Sequence, residues 1–162
     1  MLKWAIQKLV TGSRKEQSEE AHKLLEQLVG FHCIVEHNDN GAPYLIGHPE
    51  LNISISHCKA AVAVAVSDMS AVGIDIENRR LVSQSLMERI CTIEELAQIN
   101  ASSDSVMTFL QFWTQKEAVL KCRRTGIKGF GSMVEASTAN DCKVEKIVTN
   151  LHDVVAALAT AV

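Results

Sequence analysis

The stretch LNISISHCKAAVAVAVSDMSAVGIDIE, residues 51–77, decides the fold that the sequence predicts. Residues 52–55 alternate polar and apolar side chains, as a half-buried strand does. Residues 60–66 are small or β-branched, which favours a buried strand, and residues 71–76 form another strand after a turn at 68–70. Three strands joined by such short turns predict an antiparallel meander.

Helical periodicity appears on both sides of this stretch. Ser18, followed by two glutamates and then spaced apolar residues, predicts an N-capped helix with an acidic first turn, and Gly30 is expected to end it. Glycines at 126, 129 and 131 predict a loop. The remaining predicted elements are strands over residues 31–36, 143–149 and 153–162, a turn-rich loop over 37–43, and helices over 83–90, 93–99 and 106–121. Residues 1–10 fit a strand or a short helix, and the strand is preferred.

The second half of the chain contains a faint copy of the first. The segment from His57 to Val66 is similar to the segment from His152 to Ala161, since both run from a histidine into alanine and valine. Such an echo fits a duplicated unit of one helix and several strands. We therefore predict one α+β domain over residues 1–162 with two pseudo-symmetric lobes, about 1–80 and about 81–162. Each lobe is expected to pack a helix on a mainly antiparallel sheet.

Composition excludes several classes of protein. The chain has 162 residues, a hydrophobic fraction of 47% and a formal charge of −3, which predict a packed core and no nucleic-acid partner. Its five cysteines are scattered and form no C-x-x-C pair, so reduced thiols in a cytoplasmic protein are expected. The apolar start is interrupted by lysines, and no apolar run is long enough for a membrane span, so neither a signal peptide nor a membrane partner is predicted.

Asp75 and Glu77 are the first pair with chemical interest. They are two residues apart on a predicted strand, so both carboxylates leave the same face, while Ile74 and Ile76 take the other. Two carboxylates directed at one point repel each other unless a cation lies between them, and hard oxygen ligands suit magnesium. The alternative is an edge strand with a solvated acidic face.

A second segment, FWTQKEAVLK at residues 112–121, lies on the longest predicted helix. Glu117 and Lys121 are four residues apart and share a helix face, whereas Lys116 points about 100° away from Glu117. An ordinary surface ion pair would explain Glu117 and Lys121 equally well. In a third segment, Ser56 and His57 end a strand and offer a hydroxyl and an imidazole to a phosphate, unless His57 is simply structural.

The order of these segments resembles the 4'-phosphopantetheinyl transferase superfamily. Gly-Ile-Asp-Ile-Glu and Phe-Trp-x-x-Lys-Glu-Ala-x-x-Lys match its two signature motifs, and the resemblance runs from about Ser13 to the C-terminus. The loop 38–45 is similar to the family's Gly-Lys-Pro loop, residues 89–95 to its Phe-Phe-Ser/Thr-x-x-Glu segment, and residues 21–25 to the first helix of its larger, two-lobed branch.

This resemblance implies an activity, a metal and a set of site residues. The activity is transfer of 4'-phosphopantetheine from coenzyme A to a serine of an apo acyl or peptidyl carrier protein, with Mg²⁺ as cofactor. Asp75, Glu77 and Glu117 are the implied metal ligands. The implied catalytic residues are Glu117, Lys121 and Glu95, and either Glu95 or a metal-bound water is the implied general base. The implied contacts to coenzyme A are Lys23, Gly41, Pro43, Ser56, His57, Lys116 and Lys121.

The sequence also departs from the family pattern. It is shorter than the two-lobed branch, mainly at its N-terminus, and it has Ala42 where a loop lysine is common and Ile90-Cys91 in place of an aromatic pair. We expect a functional monomer whose two lobes complete one site. Two alternatives are a degenerate member that binds coenzyme A or carrier protein without transfer, and an unrelated metal-binding structural module.

Overall fold

A computed structural model of the protein describes residues 1–126 and 128–162. The secondary structure elements follow in the order β1 (Leu2–Lys8), α1 (Arg14–Val29), β2 (Val35–His37), β3 (Pro43–Leu45), β4 (Asn52–His57), β5 (Ala61–Ser67), β6 (Val72–Asn78), α2 (Gln84–Ile90), α3 (Ile93–Ala101), α4 (Ser105–Arg123), α5 (Phe130–Ala136), β7 (Cys142–Ile147) and β8 (Val154–Ala161).

The first lobe is a three-stranded antiparallel sheet with α1 packed on one face. The strand order is β1-β5-β4, and β5 is fully buried because its neighbours cover both edges, α1 covers one face and the second sheet covers the other. Alternate residues of β5, among them Val62 and Val64, pack against Leu24 and Leu25 of α1. The strand expected over residues 1–10 is confirmed as β1, and it becomes the partner of β5.

Helix α1 begins five residues earlier than the sequence predicts. Ser13, not Ser18, is the N-cap, and its hydroxyl accepts a hydrogen bond from the N–H of Glu16. The carboxylate of Glu16 in turn accepts from the backbone N–H groups of the preceding loop at 2.6–2.7 Å. This reciprocal capping lets a polar segment start the helix. Gly30 ends it as predicted, in a left-handed conformation with φ of 86°.

The second lobe repeats this plan with β6, β7 and β8 and the helix α4. Its strand order is β6-β8-β7, again antiparallel, and the apolar side of α4 buries Phe109 and Leu110 in the core. Gly73 allows β6 to approach α4 closely, since a Cβ atom there would lie 1.9 Å from the carbonyl oxygen of Ala118. The predicted α+β fold with two similar lobes is therefore confirmed, and the echoing strands β5 and β8 are the central strands of the two sheets.

The predicted meander is wrong at its third strand. β6 pairs with β8 in the second sheet and not with β5, because β1 and β4 already occupy both edges of β5. The change of lobe consequently falls in the turn before β6, near residue 70, and not near residue 80. Two serine hydroxyls of β4 join the sheets, since Ser54 accepts from the N–H of Ile74 at 3.0 Å and Ser56 from the N–H of Ile76 at 3.3 Å.

The other elements follow the predictions with shifted ends. The three predicted helices of the second half are present as α2, α3 and α4, and the last two predicted strands as β7 and β8. The expected strand at 31–36 is reduced to β2, and the predicted glycine loop ends at Gly129 because α5 begins at Phe130. Ile127 of that loop lies outside the described residues. Across the described parts of the chain, every helix is too short or too polar to cross a bilayer.

Candidate active site

The two lobes enclose a cavity of about 1250 Å³. One wall is α1, a second is the β2–β3 hairpin with its loop, a third is β4, and the second lobe contributes α4. Five of the seven residues predicted to contact coenzyme A line this cavity, although they come from four separate elements. They are Lys23, Gly41, Pro43, His57 and Lys121.

Asp75 lies under this cavity in the seam between the sheets. It is buried on β6, and its Oδ1 atom accepts hydrogen bonds from the Ser56 hydroxyl and the Lys121 amine, both at 2.7 Å. Its Oδ2 atom is buried and has no hydrogen-bond partner among the described residues. An uncompensated carboxylate oxygen in a buried position is costly, so Asp75 can accept one more positively charged partner there.

Glu77 and Glu117 complete the acidic group. Glu77 leaves the same face of β6 as Asp75 and is paired with Arg80, whose Nε atom lies 3.3 Å from Glu77 Oε2. Glu117 lines the cavity from α4 and has no hydrogen-bond partner among the described residues. Burial, followed by the negative charge of Asp75, raises the pKa of Glu117 to about 7, and Glu77 adds a smaller contribution.

These carboxylates suit a divalent cation with oxygen ligands. Asp75 has an unpartnered Oδ2 atom, and burial together with the negative charge of Asp75 disfavours the ionised form of Glu117, even though Lys121 already contacts Asp75. A hard cation such as Mg²⁺ would offset this negative charge through carboxylate oxygens. Asp75 and Glu117 therefore fit such an ion and Lys121 shares Asp75 with them, whereas Glu77 is bound to Arg80, and the three carboxylates do not all lie within 4.8 Å of one another.

Lys116 and Glu95 have a different role from the one expected. The Lys116 amine is buried, lies 2.7 Å from Glu95 Oε2, and donates to the carbonyl oxygen of Ile90 and the hydroxyl of Ser137. The same oxygen of Glu95 accepts from the N–H of Thr92 and closes the capping box of α3. Because neither residue lines the cavity, this internal ion pair corrects their predicted roles as coenzyme A contact and general base.

Ser56 is corrected in a similar way. Its hydroxyl is buried, donates to Asp75 and accepts from the N–H of Ile76, so it is committed to the seam and does not line the cavity. The expected phosphate contact of Ser56 is therefore replaced by a positioning role, in which it holds Asp75 on the second sheet.

Five basic or potentially basic residues of the cavity wall were not predicted as site residues. Arg14, His22 and His32 come from α1 and the segment after it, His37 ends β2, and Arg124 follows α4. Arg124 has a left-handed backbone, and its guanidinium donates to the carbonyl oxygen of Pro43 at 2.5 Å. Arg124 thus connects the second lobe to the β3 hairpin beside Ala42. The run of basic residues at positions 121, 123 and 124 is the signal in the sequence that could have indicated Arg124.

Fold and site together define a class of protein: a two-lobed α+β protein whose interlobe cavity is lined by Glu117 and several basic residues, with Asp75 buried beside Lys121. Comparison with known families agrees with this. The family model described as the 4'-phosphopantetheinyl transferase superfamily matches residues 71–160. The chain belongs to this superfamily, which excludes the alternative of an unrelated metal-binding module.

Individual relatives share parts of the chain. A Haemophilus influenzae protein, whose assignment as a 4'-phosphopantetheinyl transferase is itself provisional, is 35% identical over 119 residues, which cover 66% of this chain and 50% of the relative. A 4'-phosphopantetheinyl transferase of Bacillus pumilus is 30% identical over 96 residues, covering 58% of this chain and 41% of the relative. A fatty acid synthase alpha subunit of Dothistroma septosporum is 38% identical over 72 residues, covering 42% of this chain and 22% of the subunit. The chain thus spans half or less of each of these relatives.

Proposed function

We propose that the protein transfers the 4'-phosphopantetheine group of coenzyme A to a serine of an apo acyl or peptidyl carrier protein and releases 3',5'-ADP. The observation that carries this proposal is the meeting of Asp75, Glu117 and Lys121 at one cavity between the lobes. Family membership supports it, since relatives of similar sequence are named for this transfer.

Coenzyme A presents a pyrophosphate and a 3'-phosphate, which need cationic partners. Lys121, which is bound to Asp75, and His57, which follows the Asp75-bound Ser56 on β4, line the cavity and are proposed to hold the pyrophosphate. Lys23 on α1 is proposed for the 3'-phosphate; its amine is 2.7 Å from Glu20 and 62% of its side chain is exposed, so it can turn toward a ligand. A cavity of about 1250 Å³ has room for a nucleotide of this size.

The loop of the β2–β3 hairpin is proposed to bind the nucleotide through Gly41 and Pro43. Ala42 stands where the resemblance leads one to expect a lysine, and the Arg124 guanidinium reaches the neighbouring carbonyl oxygen of Pro43. A guanidinium is always charged and forms well-oriented contacts with phosphate oxygens. We therefore propose that Arg124 supplies the positive charge that Ala42 lacks.

Mg²⁺ is the proposed cofactor, held by Asp75, Glu77 and Glu117. When bound, it would neutralise the pyrophosphate and the negative charge that develops on the leaving 3',5'-ADP. Ser56 keeps Asp75 oriented. Lys121 is bound to Asp75 and also lines the cavity, so its positive charge can stabilise the negative charge that develops on the leaving phosphate.

The attacking serine hydroxyl must lose its proton. With Glu95 bound to Lys116, Glu117 is the carboxylate of the acidic group that also lines the cavity. We propose that Glu117 accepts this proton, either directly or through a water molecule. Both lobes of one chain line the cavity, which supports a monomer as the functional unit.

Carrier docking would use the basic residues near the end of α4. Arg123 is already bound to Asp141 through two hydrogen bonds of 2.8 and 2.6 Å, so its charge is largely neutralised. Lys121 is likewise bound to Asp75, so Arg124 is the basic residue of this helix end that lines the cavity without a carboxylate partner among the described residues. Charge complementarity with an acidic carrier would therefore act at the mouth of the cavity, close to the reacting serine.

A second candidate is a degenerate member that binds coenzyme A without transfer. Ala42 favours it, because one expected contact to the nucleotide is absent. The two candidates make different predictions for one experiment, in which the protein is incubated with coenzyme A, Mg²⁺ and an apo acyl carrier protein and the intact mass of the carrier is measured.

Transfer predicts that the carrier gains the mass of one phosphopantetheine group, and that Glu117→Ala abolishes the gain. Glu145→Ala is the matched control, since Glu145 is an exposed glutamate on β7 paired with Lys143. An unchanged carrier mass in the presence of measurable coenzyme A binding would support the binding protein instead. Equal activity of Glu117→Ala and the control would reject the site.

A further inference from the structure

A second group of potential metal ligands lies on the α1 wall of the cavity, apart from the carboxylates of β6 and α4. His22, Glu26 and His32 each offer a ligand atom, and these atoms all lie within 4.8 Å of one another. The Nε2 atom of His22 is 3.2 Å from Glu26 Oε1, and the Nδ1 atom of His32 is 2.5 Å from that same oxygen. Two imidazole nitrogens therefore converge on one carboxylate oxygen.

The backbone explains why these side chains meet. His22 and Glu26 are four residues apart on α1 and share a face of the helix. Gly30 ends the helix with a left-handed conformation, and the chain turns back so that His32 reaches Glu26. The N–H of Cys33 donates to the same oxygen, Glu26 Oε1, at 3.2 Å and helps to hold the carboxylate in place. The two imidazole rings stand edge to face, with centroids 6.1 Å apart.

We propose that His22, Glu26 and His32 bind a divalent transition-metal ion of the zinc class. Two imidazoles and one carboxylate are a common ligand set for zinc, and they leave a fourth position open. Both histidines line the cavity, so an ion that they hold would lie at the cavity wall. Mg²⁺ prefers an all-oxygen set, so this site and the acidic group should select different ions.

The geometry requires only a small adjustment. Ligand atoms around a tetrahedral zinc ion at about 2.0–2.1 Å are separated by about 3.3 Å, close to the 3.2 Å between His22 and Glu26. The shorter 2.5 Å contact of His32 must lengthen. His32 is 81% exposed at its side chain, so its ring can move outward without disturbing the core.

Such an ion would join α1 to the segment that forms the adjoining cavity wall. Residues 32–35 line the cavity immediately after the helix. A metal bound to His32 and to α1 would hold this wall in place. The proposed role is therefore structural, and the site is independent of phosphopantetheine transfer.

Zinc binding is to be measured by calorimetry on the full chain after chelator treatment, in an excess of Mg²⁺ that occupies oxygen-ligand sites. One Zn²⁺ ion per chain should bind. His22→Ala and His32→Ala should each weaken binding by more than about tenfold, since even the loss of an outer partner of a metal ligand costs about 10- to 100-fold. His152→Ala is the matched control, because His152 also lies beside a carboxylate, that of Asp153. It should leave binding unchanged, because His152 is 95% exposed and belongs to the second lobe.

A measurement on the unaltered protein guards against variants that fail to fold. Zinc should perturb the imidazole nitrogen resonances of His22 and His32 in the NMR spectrum and leave those of His152 in place. Absence of zinc binding in excess Mg²⁺ would overturn the proposal. Binding that survives in either His22→Ala or His32→Ala, or that leaves both imidazoles unperturbed, would also overturn it.

Discussion

Replacing Glu117 by glutamine should stabilise the metal-free protein above neutral pH. Burial and the charge of Asp75 raise the pKa of Glu117 from its ordinary 4.5 to about 7, whereas the unfolded chain keeps the ordinary value. The native state therefore binds this proton more tightly than the unfolded state does. Its contribution to stability is fully present below pH 4.5 and is lost as the pH rises through about 7.

The size of the effect follows from the same pKa. Because one pKa unit corresponds to about 1.4 kcal/mol, moving the pKa from 4.5 to about 7 disfavours the ionised form by about 3 kcal/mol. Water reaches Glu117 through the cavity and screens part of this penalty, so we expect about 1–2 kcal/mol at pH 8. Glutamine has nearly the same shape and no charge, and it should recover that free energy.

Urea unfolding in the presence of a chelator measures this difference. At pH 8 the Glu117→Gln variant should be more stable than the natural protein by about 1–2 kcal/mol, and at pH 5 the two should differ by less than about 1 kcal/mol. Glu145→Gln, at an exposed site on β7, is the control and should show no such pH dependence. Adding Mg²⁺ at pH 8 should stabilise the natural protein by mass action but leave Glu117→Gln unchanged.

Two results would refute this reasoning. If Glu117→Gln were no more stable than the natural protein at pH 8, Glu117 would not carry an electrostatic penalty. If Mg²⁺ stabilised both proteins equally, the ion would bind without Glu117, and the proposed set of metal ligands would be wrong.

Three further predictions concern other contacts of the site and its frame. Lys121→Ala should lower kcat/KM for coenzyme A by about tenfold or more in a transfer assay, because a charge-assisted contact is worth about 1.5–3 kcal/mol; unchanged kinetics would remove Lys121 from the site. Lys116→Ala should destabilise the fold by about 3–5 kcal/mol in urea unfolding, because it leaves the Glu95 carboxylate buried and unpaired; a stable variant with weakened coenzyme A binding would restore the role first expected for Lys116. His57→Ala and Glu117→Ala refolded together should recover no activity if each chain completes its own cavity, whereas substantial recovery would mean that chains share sites.

Local patterns predicted most of the elements but not how the strands pair. The alternation in β4 and the small, β-branched residues of β5 indicate strands directly, because these patterns reflect burial of each segment. The neighbours of β5 depend on β1, which lies more than fifty residues away in sequence. Nothing in the local sequence predicts that β1, and not β6, pairs with the second edge of β5.

The site shows the same division between local and distant information. Glu117 and Lys121 share one face of α4, and that face lines the cavity. Lys116 is adjacent to Glu117 in sequence but points elsewhere on the helix, and it enters the interior beside Glu95. Helix geometry predicts that the side chains of Lys116 and Glu117 point in different directions, but the position of α3 decides that Lys116 is buried. The pairing of His22 on α1 with His32 beyond its end was missed because it depends on the turn at Gly30.

The most direct test of the proposed transfer is to measure both products in one reaction. Coenzyme A, Mg²⁺, the protein and an apo acyl carrier protein are mixed, and holo-carrier and 3',5'-ADP are quantified together over time. Transfer predicts that the two products appear in equal amounts, and that neither forms when the acceptor serine of the carrier is replaced by alanine. Failure to form holo-carrier, or 3',5'-ADP released without it, would contradict the account.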